Sequence, residues 1–127
     1  MTRPGRTTSA MRKTTIFGIP TCDSVRRARQ WLKAAGVDYR FHDFRKDGLE
    51  PAALDRWCGA LGWETLLNRR GTTWRQLPPA QREAIDPERA RALMLAEPTL
   101  IKRPVLETGA IVEVGFDADR YANLFKG

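Results

Sequence analysis

The sequence predicts an α/β fold that opens β-α-β-α, passes through a helical block and closes β-β-α. Three observations predict it. An apolar, β-branched run at 14–19 (TTIFGI) leads through Gly18 and Pro20 straight into a helical repeat. Residues 62–97 carry short helical patterns broken by Gly and Pro. The run 99–117 then reads as two strands around Thr108-Gly109, which is a hairpin signature. A chain of 127 residues, 42% of them hydrophobic, suits one domain with one core.

Each element follows from local pattern. Val25, Ala28, Leu32 and Ala35 recur at helical spacing behind the first strand, Asp23 or Ser24 can cap that helix, and Gly36 ends it. Residues 37–44 (VDYRFHDF) read as a second strand. Pro51 starts a second helix with Leu54, Trp57, Cys58 and Leu61 on one face, which predicts a buried, inert Cys58. Asp86-Pro87-Glu88 is a helix entry whose apolar face is Ala90, Leu93 and Met94, and Pro98 stops it. Asp117 caps a last helix that turns Ala118, Tyr121, Leu124 and Phe125 inward.

Charge and composition narrow the function. The net charge is +7, but four of those charges (Arg3, Arg6, Arg12 and Lys13) fall in residues 1–13, which hold no acid, leaving +3 for the rest. Residues 1–13 are expected to be a basic, disordered extension, and 14–127 the folded domain. No basic block interleaves with aromatics, which argues against nucleic acid as partner. No apolar run nears the roughly 18 residues of a membrane span. Two cysteines make no disulfide framework, so reduced thiols and a cytoplasmic location are expected. No Cys/His spacing suits a metal, and no Gly-rich motif suits a nucleotide. His42, the one histidine, reads as structural or exposed, and the four tryptophans as packing residues.

Chemistry concentrates at Cys22. It stands at the mouth of the first helix, followed by Asp23, Ser24, Arg26 and Arg27. Free N–H groups and the helix dipole favour an anion there. A thiol whose ordinary pKa is about 8.5 becomes more reactive in such surroundings. A C-x-x-C pair would need cysteine where Val25 stands, and a C-x5-R phosphatase loop would need arginine where Ala28 stands. Cys22 is therefore expected to act as a single thiol, resolved by an external one.

The segments IFGIPTCDSVRRARQWL, DYRFHDFRKDGL, LGWETLLNRRGTTWRQL, LIKRPVL and VGFD resemble, in this order, the ArsC/Spx family. The nearest likeness is to its YffB-like branch of arsenate reductase-related proteins. The resemblance implies a thioredoxin-like fold with an inserted all-helical subdomain, placed at about 62–97. It implies Cys22 as nucleophile and Arg103 as a stabiliser of thiolate and oxyanion. It also implies a cis Pro104 facing the thiol. Thr21, Asp23, Ser24, Arg26, Arg69, Arg70 and Pro104 are the implied substrate contacts. No bound cofactor is implied; glutathione is the implied co-substrate and glutaredoxin a partner, with an oxidised thiol or small oxyanion as substrate and a monomer as the expected state. Two arginine positions of the arsenate reductases fall on Asn68 and near Gly115, which favours a general glutathione-dependent thiol reductase over an enzyme for arsenate. A Spx-like module that binds RNA polymerase is the alternative, against which the missing cysteine at Val25 argues.

An arginine inside the apolar run LIKRPVL also points to an anion on its own account. Its charge would be costly there unless it faced an anion or solvent.

Overall fold

The computed structural model describes residues 13–125, so the expected extension lies outside the described residues except for Lys13. Contacts divide the described chain into a sheet unit, 13–43 with 103–125, and a helical unit, 44–102.

The sheet unit holds β1 (Thr14–Gly18), α1 (Asp23–Ala34), β2 (Arg40–Asp43), β3 (Val105–Thr108), β4 (Ile111–Val114) and a C-terminal helix, Ala118–Leu124. Strand order is β2-β1-β3-β4. Strand β1 pairs parallel with β2 and antiparallel with β3. The β3–β4 hairpin matches the predicted one, with Thr108 opposite Ile111. As an inner strand, β1 buries side chains on both faces, which explains its near-continuous apolar run. On one face Ile16 and Leu106 meet Ala28 and Leu32 of α1 and Tyr121 of the last helix, all fully buried. Trp31 and Phe116 stand edge-on to the Tyr121 ring, at 5.6 and 5.0 Å. On β2, the His42 ring lies 4.9 Å from that of Phe17.

The helical unit runs α2 (Phe44–Asp47), α3 (Pro51–Leu61), α4 (Trp63–Leu66), α5 (Thr72–Arg75), α6 (Pro79–Glu83), α7 (Pro87–Ala96) and a 3-10 turn, Pro98–Leu100. The C-terminal helix Ala118–Leu124 is thus α8. Helices α3, α4 and α7 pack together around Leu54, Trp57, Leu66, Ala90 and Met94. The Asp86 side chain accepts the Arg89 N–H at 2.8 Å and caps α7 as predicted.

Four expectations need correction. The helical unit starts at residue 44 rather than about 62, because α3 buries its apolar face against the later helices. The second strand spans 40–43 only, because the Val37 N–H folds back to the Leu32 carbonyl and closes the end of α1. The run LIKRPVL is not one strand. It holds the end of the 3-10 turn, an isolated bridge at Ile101 and a bend at Arg103, and β3 begins at Val105. Pro104 has no N–H to donate to a ladder, so the strand starts behind it. Cys58, finally, is only half-buried, since the buried face of α3 centres on Ala53, Leu54 and Trp57 and leaves the thiol at its margin.

Candidate active site

Strand β1 ends at Gly18, and the turn Ile19-Pro20-Thr21-Cys22 delivers the thiol. Pro20 presets the backbone of that turn. The Cys22 N–H closes it by donating to the Ile19 carbonyl at 3.1 Å. The Cys22 carbonyl then accepts the Arg26 N–H at 3.0 Å, the first helical bond of α1. Cys22 is thus itself the N-cap, with extended backbone (φ −80°, ψ 128°), rather than Asp23 or Ser24. A thiol stands where helices usually place a hydroxyl or carboxylate, beside first-turn N–H groups that have no intrahelical acceptor. Cys22 is half-exposed, so a reactant can meet the sulfur.

Gly18 makes this geometry possible. A Cβ at Gly18 would lie 2.5 Å from Cγ2 of Val25, closer than such atoms come. Only glycine lets the first turn of α1 seat this tightly on the end of β1.

The neighbouring residues divide by role. Thr21 and Asp23 are exposed, and Ser24 is half-buried. Arg26 bonds to Asp23 one turn back, so its charge is shared with that carboxylate rather than held for the thiol. Both side chains are largely exposed, at 57% and 75%, and such a pair contributes little to stability. Arg103 is half-buried and Pro104 buried, joined by a cis peptide bond. Because Phe17 pairs with Val105, Arg103 and Pro104 reach the sheet at the end where β1 releases Cys22. The Pro104 carbonyl accepts the Gly115 N–H at 2.8 Å.

Gly115 has φ +81°, a conformation in which side chains are strained. An arginine side chain, which the resemblance implies near this position in arsenate reductases, would be strained on this backbone. Asn68 likewise has a structural task. Its N–H donates to the Leu100 carbonyl at 2.7 Å, and its Oδ1 accepts the Arg70 N–H at 3.1 Å.

Arg69 and Arg70 belong to the helical unit, both exposed. Gly71 is the N-cap of α5, with extended backbone. Cys58 borders a cleft of about 420 Å³ with Asp55, Trp63 and Arg91. Burial, and then the Asp55 charge, push its thiol above the ordinary range. Asp55 itself is held below the usual carboxylate range by a bidentate bond from Arg91, at 2.6 and 3.2 Å. Residue order marks Gly18 as the end of a strand but not as a packing contact of Val25, and it does not single out Lys102, which stands beside Arg103 in the same motif. Among the described residues no three His, Cys, Asp or Glu gather as a metal site, and no helix is long and apolar enough to cross a membrane.

Comparison with known proteins agrees with this arrangement. A model of the ArsC family matches residues 17–124. An uncharacterized protein of Haemophilus influenzae is 35% identical over 111 residues, covering 87% of this chain and 97% of the relative. The global transcriptional regulator Spx of Streptococcus pyogenes is 26% identical over 110 residues, covering 83% and 79%. Among solved structures, the YffB (PA3664) protein superposes with a TM-score of 0.84 at 47% identity, over 87% of this chain and 97% of that one. An arsenate reductase (ArsC) related protein from Brucella melitensis gives 0.71 at 48% identity, over 91% and 96%.

Proposed function

The chain belongs to the ArsC family, and on that premise we propose that it is a glutathione-dependent monothiol oxidoreductase whose nucleophile is Cys22. The observation that carries this reading is the place of Cys22 as N-cap of a twelve-residue helix, half-exposed, at the sheet end that also receives Arg103 and Pro104. In the reaction, the Cys22 thiolate attacks an oxidised thiol, R–S–S–R. A Cys22–S–S–R bond forms, the S–S bond of the substrate breaks, and one RSH leaves after taking a proton. Glutathione attacks the mixed disulfide and frees the second RSH, leaving Cys22–S–SG. A second glutathione restores the thiol and departs as the glutathione disulfide. Two electrons pass from two glutathiones to one substrate disulfide, and atoms balance.

The chain's own groups have defined parts in this scheme. First-turn N–H groups of α1 hold negative charge on sulfur, and Arg103 supplies a fixed cation to thiolate or substrate. Thr21, Ser24 and Pro104 shape the approach to sulfur. A small oxyanion could form an adduct at the same sulfur. With Asn68 and Gly115 engaged in backbone structure, a thiol substrate fits better than arsenate. A reducing, cytoplasm-like compartment, a monomeric state and glutaredoxin as recycling partner complete the reading.

Turnover of a mixed-disulfide substrate with glutathione tests it. Cys22→Ser should lose all activity and Cys58→Ser should keep it; activity persisting in Cys22→Ser would end the proposal. Likeness to Spx favours a second reading, a regulatory module that contacts RNA polymerase. Purified polymerase failing to bind this protein, together with turnover by the native chain, would eliminate it.

A further inference from the structure

The helical unit has a second cleft, of about 240 Å³, lined by Glu64, Leu67, Arg69, Arg70 and Lys102. Two stretches of chain are laced together to make it. Leu67 and Ile101 form an antiparallel bridge, and the Lys102 N–H donates to the Leu66 carbonyl at 2.8 Å. Cations far apart in sequence therefore share one wall.

One of these cations is held in place. The Arg69 guanidinium lies 5.4 Å from the Trp63 ring and 5.7 Å from the Trp74 ring. Two aromatic faces restrict its motion, so little freedom remains to be lost on binding. Arg70 follows the Asn68 turn, and its carbonyl accepts a bond from Arg75, a further guanidinium nearby. Among the described residues, Arg69, Arg70 and Lys102 form no ion pair with an acid. Their mutual repulsion is relieved when an anion enters. Glu64 is the one acid of the lining.

We propose that this cleft binds the head group of an α-amino acid. The ligand carboxylate lies on Arg69, Arg70 and Lys102, and its ammonium on Glu64. A dianion such as phosphate would meet the Glu64 carboxylate unfavourably, whereas a zwitterion satisfies both signs. The volume suits a head group and the first carbons of its chain. A free amino acid and a γ-glutamyl peptide present the same head. This inference does not depend on the redox reading of Cys22.

The test is an NMR titration of the full-length, 15N-labelled protein at constant ionic strength. Ligands are L-glutamate, S-methylglutathione, glutarate and inorganic phosphate. The expected result is saturable shifts of the amides of 64–70 and 102 and of the Trp63 and Trp74 indoles. Shifts with L-glutamate as well as S-methylglutathione identify the head group alone as sufficient, whereas shifts with S-methylglutathione only identify the γ-glutamyl peptide. Glu64→Gln should weaken the amino-bearing ligand about fivefold and leave glutarate unchanged. The double variant Arg70→Ala, Lys102→Ala should abolish binding while the rest of the spectrum stays native. Equal affinity for glutarate or phosphate, or no shift at these amides with any ligand, overturns the proposal.

Discussion

Replacing Gly18 with alanine should damage both stability and the thiol's placement. The new Cβ would sit 2.5 Å from Cγ2 and 3.3 Å from Cγ1 of Val25. Ordinary contact between such carbons is about 3.5–4.0 Å, so roughly 1 Å of overlap must be relieved. Val25 cannot swing away, because it is β-branched, fully buried and in the first turn of α1. Either β1 or the mouth of α1 has to move. Overpacking of this size costs about 1–3 kcal/mol. Displacing a reacting atom by about 1 Å can cost on the order of 100-fold in rate. Urea unfolding would give the first quantity, and alkylation and turnover at Cys22 the second. Adding Val25→Ala should recover part of the loss, so that the double variant is at least about 1 kcal/mol more stable than the sum of the single effects. Strictly additive effects, or a Gly18→Ala protein with native stability and native Cys22 reactivity, would refute the close-packing argument.

Further outcomes follow from the same structure. At neutral pH iodoacetamide should label Cys22 well before Cys58, read by peptide mass spectrometry, because burial and Asp55 suppress the Cys58 thiolate. Arg103→Ala should fold normally and lose roughly 100-fold in kcat/KM for a mixed disulfide. Tyr121→Phe should be neutral or stabilising by up to about 1 kcal/mol at pH 7, measured by thermal unfolding, since the fully buried hydroxyl has no hydrogen-bond partner among the described residues. Burial, and then Glu113, raise the Tyr121 hydroxyl well above its ordinary pKa. The unfolded chain therefore ionises first. The native protein should lose stability as pH rises past about 10, and the phenylalanine variant should lose less. Asp117→Ala should cost about 1 kcal/mol, because its carboxylate caps α8 by accepting the Arg120 N–H at 3.0 Å.

Much of this arrangement was legible in residue order, for reasons that differ by element. Helix α1 was readable because its buried positions, Val25, Ala28 and Leu32, repeat at helical spacing. Both Asp86 and Asp117 were readable as caps because capping is a local event. Arg103 was misplaced into a strand because apolar character alone cannot separate a ladder from a bend. The interruption came from Pro104 and from a bridge to Leu67, a partner far away in sequence. Cys58 reads as a core residue in the sequence because one step round a helix separates its buried centre from its margin. The Asp23–Arg26 pair was hidden for the opposite reason, since a side chain's rotamer decides which neighbour an arginine serves. The basic cleft could not be seen at all until two distant stretches were laid side by side.

The inner position of β1 bears on how the chain acquires its shape. Strand β1 is synthesised long before its antiparallel neighbour β3, which arrives only at residues 105–108. The hydroxyls of Thr14 and Thr108 meet at 2.9 Å across 94 positions of sequence. Closing a flexible loop of that length costs about 4 kcal/mol in chain entropy, apart from a constant. Until then Ile16 and Phe17 belong to a strand with one free edge, a template for pairing with another chain. Co-translational misassembly should therefore be most acute for chains stalled between residues 44 and 104. Ribosome-bound intermediates in that window should recruit chaperones more strongly than chains released past the β3–β4 hairpin.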